Sequence, residues 1–262
     1  MSIELRGLHK AFGRKKILRG VDLDVEEGET VSLVGFSGAG KSVMLKHIAG
    51  LLRPDAGTVK VDGLEVPKLE RKQLNALRMN LGYVFQFAAL FDSMTIAENV
   101  AMGLRKKGGS TETQIRDRVR ESLARVGLEG FEGRLPSELS GGQRKRAGLA
   151  RAIAYGPKYL LYDEPTSGLD PVTTTVIDRL ILKMKEELGV TSVVITHDME
   201  SAYAISDRIA MLYEGRVVEV GTPDEIRATR NPVVRAFIEG QPDLAHDAEA
   251  PAPAAAHRGR KE

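Results

Sequence analysis

Cysteine is absent from the 262 residues, which excludes disulfides and thiolate metal sites and suits a reducing compartment. No apolar stretch is long enough to span a bilayer, so a membrane role would have to come through a partner. Met1 to Arg6 carries charges where a secretory signal needs an apolar core, so no signal peptide is expected. Charge of one sign is also missing: 38 Lys and Arg against 36 Asp and Glu leave +2. That balance supplies no bulk field for nucleic acid or an anionic membrane surface, and no nucleic-acid partner is expected. No internal repeat is visible. What remains is 42% hydrophobic and 28% charged. Such a chain can form one α/β domain with a substantial core, or two closely joined subdomains.

The first part reads as strands. Ile3 to Arg6 and Val21 to Val25 alternate, and Thr58 to Val66 around Asp62-Gly63 is a hairpin signal with a primed turn. The middle is helical. Thr95-x-x-Glu98 and Thr111-x-x-Gln114 predict capping boxes, and Ile115, Val119, Leu123 and Val126 recur at helical spacing up to Gly127. In the last third, strands at 159–162 and 191–196 flank a helix marked by Val172, Val176, Leu180 and Met184. A hairpin over 209–220 closes the pattern. Strands alternating with helices predict a parallel sheet covered on both faces, beside a small antiparallel layer. Ala248 to Ala256 is nearly all alanine and proline, and disorder is expected from Gln241 onward.

Gly35-Phe36-Ser37-Gly38-Ala39-Gly40-Lys41-Ser42 is a complete G-x-x-x-x-G-K-[ST] loop between the apolar strand 30–34 and a helical pattern. Its glycines let backbone N–H groups converge on phosphate oxygens, and the helix start adds a positive dipole end. Lys41 can reach the β- and γ-phosphates, and the Ser42 hydroxyl can ligate Mg²⁺. Tyr159 to Glu164 is an apolar strand ending in two acids. Asp163 is placed to hold Mg²⁺ and Glu164 to polarise an attacking water. Leu139-Ser140-Gly141-Gly142-Gln143 precedes a helix expected over 144–154, and its serine and glycines form a second anion-binding helix start. Two phosphate-cradling ends so far apart in sequence suggest that two chains pair face to face. The following run Arg144-Lys145-Arg146 reads as a solvated helix face.

These residues resemble the ATP-binding cassette (ABC) ATPases. Residues 139–143 resemble their signature sequence, Gln86 the Q-loop glutamine, Ser167 to Asp170 the D-loop, and His197 the switch histidine. Phe12 stands where the family stacks an aromatic ring on adenine. The resemblance covers roughly residues 1 to 230, with the motifs in order. It implies a P-loop NTPase parallel-sheet core with a small antiparallel β subdomain and a helical subdomain at about 87–157. The nucleotide-binding domain would span 1–240 and the tail 241–262. It further implies a homodimer hydrolysing two ATP with Mg²⁺, each ATP between residues 35–42 of one chain and 140–143 of the other. Gln86 would sense the metal and the water, His197 the γ-phosphate, and Asp170 would couple the two sites.

Residues 86–94, 98–101, 136–142 and 231–240 resemble the Mla/Mce branch, whose members energise lipid or steroid movement across bacterial envelopes. The implied partners are a membrane permease, a substrate-binding protein with an Mce-type domain and a STAS-type regulator. The implied location is peripheral, at the cytoplasmic face of the inner membrane. Amino-acid importers and lipoprotein-release ATPases share much of this text, and a regulatory ABC ATPase is a further alternative. A ribosome- or nucleic-acid-remodelling ABC protein fits poorly, since there is neither a second cassette nor a coiled-coil insertion. Residues 85–91 are expected to form the permease groove. The tail from Arg235 onward is expected to touch a neighbouring protomer or the regulator, because the amphipathic run Val233, Val234, Phe237 and Ile238 precedes sequence expected to be disordered.

Overall fold

The computed structural model describes residues 2–241. The strands are β1 (Ile3–Phe12), β2 (Lys15–Val25), β3 (Thr30–Val34), β4 (Ala56–Val61), β5 (Leu64–Glu65), β6 (Leu81–Val84), β7 (Tyr159–Asp163), β8 (Thr191–Ile195), β9 (Arg208–Tyr213) and β10 (Arg216–Gly221). The helices are α1 (Lys41–Ile48), α2 (Arg71–Arg78), α3 (Ile96–Lys107), α4 (Glu112–Arg125), α5 (Gly141–Ile153), α6 (Pro171–Leu188), α7 (Met199–Ile205), α8 (Pro223–Arg227) and α9 (Pro232–Ile238). Two compact units divide the chain. One holds the described residues up to Leu74 and those from Val193 on; the other is Asn75–Ser192. The Ala/Pro-rich tail beyond Gln241 lies outside the described residues.

The first unit contains an antiparallel sheet of order β2-β1-β4-β5. Its expected hairpin turn forms at Asp62 (φ 50°) and Gly63 (φ 74°), the left-handed pair that a primed turn requires. In the same unit β3 runs parallel to β9, and β10 returns antiparallel to β9. Every residue of β3 is buried, as in a strand covered on both faces. Met44, Leu45 and Ile48 of α1 are buried as well, and truncating such a side chain to alanine costs about 2–5 kcal/mol. This packing anchors both ends of the phosphate loop.

The α9 run departs from expectation. Val233, Val234 and Ala236 are buried in their own chain's cluster with Val34, Met211 and Tyr213, and Phe36 and Phe237 pack against it. The Phe237 and Phe36 rings meet edge to face at 5.2 Å. Val233, Val234 and Ala236 are thus taken up within their own chain, while the part of the expected contact beyond Gln241 lies outside the described residues.

In the second unit β6 and β7 are parallel, with Leu81 opposite Tyr159 and Val84 opposite Tyr162. Both predicted capping boxes form, at Thr95 with Glu98 and at Thr111 with Gln114. Gly127 takes φ 66° just after α4. Helix α5 begins at Gly141 rather than Arg144, because Ser140 caps it: its hydroxyl accepts from Gln143 N–H, and the Gln143 side chain accepts from Ser140 N–H. On α6 the stripe is rotated from expectation. Val172 and Val176 are exposed, and Ile177, Ile181 and Met184 form the buried face. Proline at the first position and the Asp170 cap fix where α6 starts, and the outward side of its first turns carries the two valines.

Buried Asn99 ties α3 to the segment before it. Its carbonyl accepts from Phe91 N–H at 2.7 Å, and its amide donates to the carbonyls of Phe91, Met94 and Thr95 at 3.0–3.1 Å. Asn99→Leu would take from Phe91 N–H and Met94 O their side-chain partner, while Phe91 O and Thr95 O keep the bonds they accept from Met94 N–H and Asn99 N–H. The expected cost is on the order of 3 kcal/mol, read as a lower urea midpoint at unchanged m-value.

Candidate active site

The first unit carries the phosphate loop. Gly35, Gly38 and Gly40 adopt φ of 146°, 79° and 108°. A Cβ on Gly35 would lie 2.2 Å from the Leu212 carbonyl oxygen, and one on Gly40 would lie 2.8 Å from Leu18 Cδ2. Only glycine allows the backbone to close here. Ser37 and Gly38 at the tip are exposed, and Ala39 is half-buried. The Lys41 ammonium is buried and folds back over the loop, donating to Gly35 O at 2.6 Å and Phe36 O at 3.1 Å. Ser42 follows on the first turn of α1, whose N-terminus carries no acidic side chain. A concave backbone, a helix start and a lysine already aimed across the loop fit a nucleotide's phosphates.

Phe12 ends β1 and is half-exposed, with the Lys10 ammonium 5.6 Å from its ring centre, so it is not a core aromatic. His197 lies between the end of β8 and the start of α7 and is exposed, so it is not a core histidine. Its neighbours are fixed. Thr196 N–H donates to Leu33 O, Thr196 Oγ1 accepts from Asp198 N–H, and Asp198 caps α7.

The second unit gathers the acids. Asp163 ends β7 and accepts from the Tyr83 hydroxyl at 3.1 Å. Burial, with Asp163 alongside, pushes the Tyr83 phenol up, so it stays protonated and acts as the donor. Glu164 sits at φ 51°, a left-handed conformation that a side chain adopts only when held. Gln86 Nε2 donates to the Glu164 carboxylate at 3.2 Å and to Ser167 Oγ at 3.3 Å. Thus Gln86 and Glu164, 78 residues apart, share one hydrogen-bonded cluster.

Ser140 and Gly141 are exposed at the start of α5. A Cβ on Gly142 would meet Thr173 Cγ2 at 2.5 Å, so this glycine lets α5 pack on the first turn of α6. Asp170 caps α6, accepting from Val172 N–H and Thr173 N–H at 3.0 Å and from Thr173 Oγ1 at 2.6 Å. Those hydrogen bonds hold its carboxyl below the usual range. Among the described residues no three or more His, Cys, Asp or Glu side chains group as a metal cage. Mg²⁺ carried by phosphates needs only one or two protein oxygens; Ser42 in the first unit carries a hydroxyl, and Gln86 and Asp163 in the second carry carbonyl and carboxylate oxygens, the oxygen chemistry such an ion takes.

Sequence reasoning missed Tyr83 and Lys145, and it named Ser167 only as part of the D-loop, not as a partner of Gln86. Tyr83 was legible in principle, since it stands on the strand directly paired with the acid-bearing β7. The run Arg144-Lys145-Arg146 is not a freely solvated face. Arg144 donates to Leu139 O, Arg146 to Val126 O and Gly127 O, and Lys145 to Ser167 O and Glu164 O. Nothing local in the sequence announces this, because the accepting groups are backbone carbonyls, most of them some twenty residues away.

A glycine loop with its lysine and a pair of strand-end acids under a glutamine define a P-loop nucleotide-hydrolysing protein. The ABC transporter family pattern matches residues 18–167, and the chain belongs to that family. It is 42% identical over 241 residues to the "Probable ribonucleotide transport ATP-binding protein mkl" of Mycobacterium leprae, covering 92% of this chain and 70% of the relative. It is 43% identical over 258 residues to the chloroplastic "Protein TRIGALACTOSYLDIACYLGLYCEROL 3" of Arabidopsis thaliana, covering 92% and 74%. The methionine import ATP-binding protein MetN of Carboxydothermus hydrogenoformans is 43% identical over 240 residues, covering 90% and 71%. Among solved structures, the ATP-binding cassette MJ0796 in a dimeric post-hydrolysis state with ADP and Pi superposes with a TM-score of 0.78 at 37% identity, over 84% of this chain and 98% of that one. The cassette cbiO1 of Clostridium perfringens gives 0.80 at 30% identity, over 93% and 97%. The fold is that of the ABC ATPases, and the chain is an ATPase of the ABC transporter type.

Proposed function

We propose that this chain is the ATP-hydrolysing subunit of a bacterial transporter that moves lipid, most specifically phospholipid, through a separate permease in the cell envelope. The observation that carries the reading is the joining of the Gln86–Glu164 cluster to exposed aromatics on both sides of Gln86. Phe85, Phe87 and Phe91 are 40%, 85% and 50% exposed. Ala88, between them, is buried, and Arg151 donates to the carbonyls of Ala88 and Ala89, both at positive φ. Aromatics left in water on a rigidly held segment suit an apolar partner helix. No helix among the described residues is long and apolar enough to cross a membrane, so membrane attachment would run through the permease at its cytoplasmic face.

In this reading two copies pair, and each ATP lies between the phosphate loop of one and Ser140 to Gln143 of the other. The exposure of Ser140 and Gly141 supports it, as does the dimeric state named for the similar cassette MJ0796. Phe12 would stack on adenine, Gly35 to Ser42 would wrap the phosphates, and His197 would contact the γ-phosphate. Glu164 would take the proton of the attacking water, with Gln86 orienting both. Asp170 would couple the two sites across the pair. Mg²⁺, held through Ser42, Gln86 and Asp163, would supply charge neutralisation at the phosphates.

The lipid assignment is supported by the 86–94 segment and by the relative whose name contains a galactosyl diacylglycerol. A substrate-binding protein with an Mce-type domain and a STAS-type regulator would complete the complex, and residues 1–240 would form the nucleotide-binding domain. Similarity to the methionine importer favours an amino-acid importer as the second reading. Purifying the assembled complex from its native membrane and identifying bound subunits and lipids tests this. A permease with an Mce-type protein and copurifying phospholipid supports it; a permease with an amino-acid-binding protein overturns it. A narrower result is expected of Phe87→Asp: permease copurification lost, with ATP affinity of the isolated chain within about twofold.

A further inference from the structure

Glu164 is poorly suited to its own backbone. It is neither glycine nor asparagine, yet it stands at φ 51° at the head of a turn running to Ser167. Within the turn, Ser167 N–H donates to Glu164 O at 3.3 Å and Leu169 N–H to Thr166 O at 3.2 Å, both long bonds. A left-handed side-chain residue persists where its surroundings over-determine it. Gln86 and Lys145 both contribute here. Gln86 grips the side-chain face of the turn, through the Glu164 carboxylate and Ser167 Oγ. Lys145, from the second turn of α5, grips the main-chain face, donating to Ser167 O at 2.6 Å and Glu164 O at 3.3 Å.

We propose that Lys145 is a positioning residue for hydrolysis: it holds the Glu164–Ser167 turn through two backbone carbonyls and so aims the Glu164 carboxylate at the water. An ammonium suits the task because it offers three donors from one point, so a single group can gather two carbonyls of one turn. The ammonium is half-buried, and desolvation pushes it down to about 8, with the nearby Glu164 charge opposing the shift. It is therefore charged near neutrality, where charge-assisted bonds to carbonyls are strongest. Lys145 also lies five residues beyond Ser140 on one rigid helix, so a nucleotide engaging the start of α5 would be mechanically joined to the turn bearing Glu164. The inference rests on Glu164 acting as the base, as proposed above.

The experiment uses the full chain in complex with its permease. Lys145→Met keeps length and removes the donors; Lys145→Arg keeps charge and donors. A misplacement of the base acts on the chemical step, so Lys145→Met is expected to lower kcat about 10- to 100-fold. KM and the equilibrium affinity for ATP should move less than about threefold, and Lys145→Arg should recover most of the rate. Added to Glu164→Gln, Lys145→Met should cause no further loss, because both act through one carboxylate. Should Lys145→Met fail to fold, Lys145→Gln, which keeps a donor, is measured the same way. A kcat within threefold of wild type, an equal fall in kcat and affinity, or additive losses in the double variant would each overturn the proposal. Full hydrolysis by Glu164→Gln alone would overturn both assignments. Its loss, alongside normal turnover in Lys145→Met, overturns this one only.

Discussion

Glu164→Gln is expected to stop turnover while leaving ATP bound. The amide preserves size and can still meet Gln86, but it cannot accept a proton from water. Loss of a general base typically removes 10² to 10⁴ in rate, and the fall should appear in kcat with little change in affinity. Single-turnover hydrolysis with Mg²⁺ and excess enzyme reads the chemical step directly. Turnover at the wild-type rate would remove Glu164 as the base. The cluster makes the prediction specific, because Glu164 is held by a glutamine hydrogen bond and a clamped turn rather than standing loose on the surface.

The second large effect is at Lys41. Its ammonium donates to Gly35 O and Phe36 O, and the Phe36 ring lies between Tyr213 at 5.9 Å and Phe237 at 5.2 Å. The loop is thus held by lysine on one side and by aromatic packing on the other. Lys41→Ala removes a charged donor to the phosphates and one of those two supports. The charged hydrogen bonds alone are worth on the order of 2–3 kcal/mol, which is roughly a 30- to 150-fold weaker affinity for ATP. Isothermal titration on the isolated chain measures it, and unchanged affinity would refute the placement.

The phosphate loop and the strand-end acids were legible because phosphate and metal chemistry restrict residue types tightly. Backbone N–H groups converge only through glycines, as the clash at Gly35 shows, and a lysine must follow at fixed spacing. Capping boxes were legible for a similar reason: donor and acceptor sit three residues apart, at Thr95, Thr111 and Ser140. What stayed hidden depends on partners distant in sequence. The basic run 144–146 carries no mark that its cations hold backbone carbonyls. The rotation of α6 follows from which side is packed, and valine at 172 or 176 has the same letter in or out of the core. The α9 run shows the converse. Its amphipathic pattern correctly signals burial but cannot say whether the covering surface is another protein or, as here, the chain's own sheet and phosphate loop.

The central claim is that Ser140 to Gln143 act on a nucleotide held by another copy. Sedimentation equilibrium of Glu164→Gln with and without Mg²⁺ and ATP, beside the same chain also carrying Ser140→Arg, tests it most directly. The account predicts an ATP-dependent dimer for the first. For the second it predicts a monomer that still binds one ATP per chain, because Ser140 serves only the partner's nucleotide. A dimer that survives Ser140→Arg, or a Glu164→Gln chain that stays monomeric at saturating nucleotide, would contradict it.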